Sequence, residues 1–142
     1  MTKTELVHKW FEDLWEKGIE STIDEMLAPD MVAHGLAAGD LVGRDAFRSF
    51  YRAYRAAFPT VRVNVHHVLE SGDYATSLVD VQVTAADGRG PLRLAGSSTV
   101  RVRDGQLVEG WNYFDFLTLL IGMGVVAPDV METALTSARG RA

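Results

Sequence analysis

The chain has 142 residues, a length that suits one domain with a single hydrophobic core. Its 14 basic and 19 acidic side chains leave a formal charge of −5, which argues against nucleic acid or an anionic membrane as a partner. There is no cysteine, so disulfides and thiolate chemistry are excluded.

The N-terminal stretch MTKTELVHKWFEDLWEKG carries acids throughout and no uninterrupted apolar segment of the signal-peptide kind. No apolar run approaches the roughly 20 residues that a membrane span needs. A soluble, cytoplasmic protein is therefore expected. One domain should occupy residues 1–135, with 136–142 as a frayed tail.

Thr2 or Thr4 can cap a first helix, on which Leu6, Trp10 and Leu14, with Val7, Phe11 and Trp15, form a broad apolar face. Gly18 is a plausible stop. Ser21 or Thr22 caps a short second helix over Ile23 to Leu27, ended by Ala28-Pro29. Met31 to Gly35 reads as a short extended segment, and Leu36 to Gly43 as a small-residue loop. The clearest helix follows, opening at Gly43 or Asp45 and running to about Phe58. Phe47, Phe50, Tyr51, Tyr54 and Phe58 make an aromatic stripe on it. Arg44, Arg48, Arg52 and Arg55 lie on the other side, where a solvated face is expected. Pro59 ends the helix.

From Thr60 the pattern changes to period two. Val61, Val63 and Val65 alternate with polar residues. Turns at Ser71-Gly72-Asp73, Asp87 to Pro91 and Asp104-Gly105 separate four strands. Strands joined by such short turns pair antiparallel. Helices followed by this meander predict an α+β fold with the helices packed on one sheet face. In the last strand Leu107, Glu109, Trp111, Tyr113 and Asp115 are expected to share a face. Asp115 then precedes the apolar run Phe116 to Ile121, so it either caps a helix or does chemistry in a pocket. A short terminal helix to Leu135, begun near Ala127-Pro128-Asp129, closes the chain.

Several pieces together resemble a known family. Gly43-Arg44-Asp45-Ala46-Phe47 with Phe58-Pro59 looks like the GR-x-x-F…FP helix of the SnoaL-like polyketide cyclases. Gly72-Asp73 resembles their GD turn. The run Asp104 to Trp111, followed by Asp115, is similar to their DGKI-x-E-x-W-x-x-x-D signature. The order of elements resembles the nuclear-transport-factor-like cone shared with ketosteroid isomerase and scytalone dehydratase. The resemblance covers roughly residues 4 to 125. It implies a curved sheet wrapped round helices, enclosing an apolar pocket. It also implies cofactor-free acid/base chemistry, of aldol-cyclisation or isomerisation type, on an apolar carbonyl compound such as a polyketide.

In the cyclases the aspartate four residues after the tryptophan is the general acid/base; here that position is Asp115. His34 falls where the isomerases keep their catalytic aspartate, and becomes the assisting group. Trp10 or Phe11 falls where the isomerases keep an oxyanion-stabilising phenol, and Ser98 near their second acid. A ketosteroid isomerase mechanism is therefore not expected. The cyclases also end this region in a Gln-Leu-Gly-like run where this chain has Ile121 to Gly124. They often carry a pocket histidine that has no counterpart among Leu94 to Ser98. Trp111, Phe47 and Tyr51 are the expected pocket wall, and Ser98 and Asn112 the expected donors to a developing charge. His66-His67 is no metal pair, since neighbours on a strand point to opposite faces. No metal or cofactor is expected, and a homodimer is expected by family analogy. The alternatives are a non-catalytic ligand-binding or dimerising domain, and an epoxide hydrolase-like member of the same superfamily.

Overall fold

The computed structural model describes residues 1–140; Arg141 and Ala142, part of the tail expected to fray, lie outside them. Helix α1 (Lys3–Lys9) is capped by Thr2, whose side chain accepts from the Glu5 amide at 3.0 Å. It continues as a π-helical stretch over Trp10–Glu16, seen in the Lys17 N–H to Glu12 C=O bond of 2.9 Å. The widened turn frees carbonyls, and two of them find side-chain donors on the long helix α3 (Arg44–Ala57). Tyr51 Oη donates to the Leu14 carbonyl and Arg55 Nη1 to the Trp15 carbonyl, each at 2.9 Å. The α3 arginines are thus fasteners more than a solvated face. Arg44 donates twice to the Leu27 carbonyl, and Arg48 and Arg52 pair with Glu20.

Helix α2 is Thr22–Met26, one residue earlier than expected at each end, because the chain turns extended at Leu27. Strand β1 accordingly spans Leu27–His34, and the loop after it contains a second short strand, β2 (Leu41–Val42). The meander is β3 (Thr60–Ser71), β4 (Tyr74–Thr84), β5 (Leu92–Arg103) and β6 (Gln106–Phe114). Asp104 and Gly105 both have positive φ, as the tight hairpin between β5 and β6 requires. Helices α4 (Phe116–Gly122) and α5 (Val130–Ala138) follow, the latter running past the expected Leu135.

The sheet order is β2-β1-β6-β5-β4-β3. The meander pairs antiparallel as expected, but β1 joins β6 in parallel, so the sheet is mixed. The architecture is α+β, with helices on the concave face of an open sheet. The core lies between them: Leu14 and Ile23 are fully buried against inward valines such as Val79 and Val83.

One irregularity decides which side chains reach that core. In the β5–β6 ladder Val102 pairs with Leu107 and Arg101 with Glu109, so Val108 is an extra residue in β6. Such a bulge sends every later side chain to the opposite face. Gly110, Asn112 and Phe114 turn inward, and Trp111 and Tyr113 do not share Leu107's face as the unbroken alternation predicts.

Candidate functional site

The concave face and the helices enclose a cavity of about 110 Å³. The π-helical stretch contributes Trp10, Phe11 and Trp15, and α3 contributes Phe47, Phe50 and Tyr54. Leu36 reaches the cavity from the loop after β1, and Phe114 and Phe116 from the end of β6 and the start of α4. Valines and leucines of β3 to β5 complete a wall that is overwhelmingly apolar, which favours a ligand of the same character.

The polar exception with fixed hydrogen-bond geometry is the cross-strand pair Ser98 and Asn112, register partners on β5 and β6. Asn112 Nδ2 donates to the His34 backbone carbonyl at 3.0 Å, and a carbonyl can only accept. This orients the amide, so that its Oδ1 accepts from Ser98 Oγ at 3.0 Å. Ser98 Oγ has given its proton away and keeps lone pairs free, while the Asn112 amide keeps a second N–H. The pair can therefore meet a ligand hydroxyl or carbonyl. Glu109 also borders the cavity, but its carboxylate is held by His34 Nε2 at 2.7 Å and by Arg101 at 3.5 Å.

The other expected site residues are placed differently. Phe47, Ser98 and Asn112 line the cavity, whereas Tyr51, Trp111, His34 and Asp115 do not. Tyr51 is buried one residue along from the lining Phe50, its hydroxyl committed to the Leu14 carbonyl, and burial pushes that phenol above its ordinary pKa. His34 is the parallel register partner of Trp111, and their rings stack with centroids 5.5 Å apart. The Val108 bulge turns Trp111 to the outer face of the sheet, where His34 stacks on it and Tyr74 lies 6.0 Å from it.

His34 sits between two carboxylates: Nδ1 is 2.9 Å from Asp40 and Nε2 is 2.7 Å from Glu109. These bonds, Glu109's first, hold the imidazole above its ordinary pKa. Asp115 is exposed and caps α4, accepting from the Thr118 amide at 3.0 Å and from the Thr118 hydroxyl at 2.5 Å. Those bonds, with a smaller contribution from Arg93, hold its carboxyl below the usual carboxylate range. Its neighbours on both sides, Phe114 and Phe116, are nonetheless in the cavity wall. His66 and His67 are both exposed, because a bulge in β3 falls at His66. Among the described residues no group of three or more histidine, aspartate or glutamate side chains could hold a metal ion.

Tyr54, Leu36 and the N-terminal tryptophans join the site without having been singled out for it. The stripe on α3 pointed to Tyr54, but no sequence signal carries Leu36 to the wall.

The SnoaL-like domain profile matches residues 7–110, most of the chain. This protein belongs to the SnoaL-like family. Its fold is that of solved members of the superfamily. A loop-truncation variant of IdmH is 26% identical over 87% of this chain and 100% of its own, with a TM-score of 0.75. Wild-type IdmH, from Streptomyces antibioticus, is a proposed polyketide cyclase. Another proposed polyketide cyclase, from Bacillus cereus, is 25% identical over 87% of this chain and 83% of its own, with a TM-score of 0.75. AclR from Streptomyces galilaeus, a proposed hydroxylase, shares the fold at 20% identity, covering 97% of this chain and 94% of its own with a TM-score of 0.73. No curated protein matches the chain. No helix of this SnoaL-like chain, among the described residues, is long and apolar enough to cross a membrane.

Proposed function

We propose that this SnoaL-like chain binds an apolar small molecule carrying a carbonyl or hydroxyl oxygen, with that oxygen set against Ser98 and Asn112 and the carbon skeleton against Phe47 and its aromatic neighbours. The observation that carries this reading is the oriented Ser98–Asn112 pair in an otherwise greasy wall. A cavity of about 110 Å³ suits a compound of about one ring as it stands, since an engineered cavity of roughly 150 Å³ holds benzene. Replacing Asn112 by Leu should weaken binding of a one-ring ketone such as acetophenone about tenfold, the worth of one hydrogen bond, and leave binding of toluene nearly unchanged. Calorimetry on both ligands reads this. Equal losses for the two would contradict the polar role.

A second reading is cofactor-free acid/base catalysis of cyclase or isomerase type on such a compound. It is supported by family membership and by Asp115's place between two wall residues. Asp115 would be the proton shuttle, and it would first have to leave Thr118. Its lowered pKa makes it a weak base at neutral pH, so geometry supports binding more directly than turnover. A homodimer in the cytoplasm completes the proposal. Exposed Tyr113 and Leu78 on the outer sheet face, at 71% and 50% relative accessibility, are apolar surface that a second copy would cover.

A further inference from the structure

The loop between β1 and β2 is tied to the sheet through one histidine. This loop, residues 35–40, is made of small residues apart from Leu36 and Asp40, and Leu36 lies in the cavity wall. At one end Gly35 has positive φ and sits so close to the Asn112 backbone carbonyl that no side chain fits there. At the other end Asp40 reaches back across the base of the loop to His34 Nδ1, and His34 Nε2 holds Glu109 on β6. The chain Asp40–His34–Glu109 thus clips the loop to the sheet, next to the strand position whose backbone carbonyl takes the Asn112 amide.

We infer that segment 35–40 is a pH-released lid over the cavity, latched by the His34–Asp40 ion pair. This rests on the cavity being the ligand site. Both ring nitrogens face carboxylates, so the latched state needs both N–H groups and hence the imidazolium. The charged groups around the ring are Asp40 on the loop, Glu109 on β6 and, behind Glu109, Arg101 on β5. Trp111 covers one ring face.

When the proton leaves, one N–H remains. It stays with Glu109, the shorter bond, whose carboxylate Arg101 also keeps in place. The Nδ1 lone pair then faces the Asp40 carboxylate, which is 54% exposed and passes readily to water. The sign follows from the raised pKa: the latch is fully formed below the ordinary imidazole value and is lost as pH rises through the folded value. A ligand larger than the closed cavity then gains access as the loop swings out.

Stopped-flow binding of prodan, an uncharged two-ring ketone fluorophore, to the full chain reads the lid directly. From about pH 5 to about pH 10, the association and dissociation rates should both rise roughly tenfold through the His34 titration midpoint, which is followed by NMR. Asp40→Ala, at an exposed loop position, should bind fast at every pH. His34→Gln should lose the pH dependence as well. Rates that stay flat across the midpoint, or an Asp40→Ala variant that keeps the wild-type profile, would overturn the latch while leaving the cavity as the binding site. Prodan that fails to bind at any pH while acetophenone binds would overturn the lid alone, and acetophenone that also fails would overturn the cavity reading and the latch with it.

Discussion

Asp115 carries two chemistries that exclude each other in one conformation. As the cap of α4 it only has to accept hydrogen bonds, and both Thr118 donors favour its ionised form. As a proton shuttle it would need a raised pKa and a clear line to a ligand. The cap reading predicts an NMR titration midpoint below the ordinary carboxylate value. The stability it lends is then present above that ordinary value and is lost as pH falls through the folded one. Asp115→Ala should speed amide exchange at Thr118 and the first turn of α4, whereas Asp115→Asn should largely keep the cap. If Asp115→Asn abolished a measured turnover with α4 intact, the catalytic reading would win.

Tyr51 shows how an element's irregularity creates its own requirement. The π-helical stretch brings Trp10, Phe11 and Trp15 to the cavity, and its opened turn leaves the Leu14 carbonyl to Tyr51. Tyr51→Phe should therefore destabilise the fold by about 1–3 kcal/mol in denaturant unfolding, the cost of an unsatisfied buried acceptor. A change near zero would mean that water replaces the hydroxyl. The same kind of local irregularity limited what the sequence could reveal. Strands β4 to β6 and their turns were legible because period two and turn residues are local signals. Phe47 lines the cavity as part of the aromatic stripe on α3, whereas Asn112 lines it against the unbroken alternation, which sets it on the face opposite Leu107. Trp111 was assigned to the wrong face because one extra residue, Val108, carries no compositional mark. The partnership of His34 with Glu109 depends on parallel pairing between β1 and β6, 75 residues apart, for which the chain offers no local cue.

The whole molecule separates its chemistry by sheet face. The concave side holds the apolar cavity and its Ser98–Asn112 pair, the outer side holds His34, Arg101 and the aromatic residues Tyr74, Trp111 and Tyr113, and Glu109 stands between them, bordering the cavity while its carboxylate pairs with His34 and Arg101. A face of that composition suits a second copy, so light scattering should give a mass twice that of the 15.6 kDa chain. A monomer at micromolar concentration would remove the dimer. The cavity reading stands apart from that result, because its residues all come from one chain. Its most direct test is an NMR titration with acetophenone, following the side-chain amide of Asn112. Saturable movement of that resonance, together with the Ser98 and Phe47 signals, is the predicted result. A titration in which Asn112 stays still while only outer-face resonances move would contradict it.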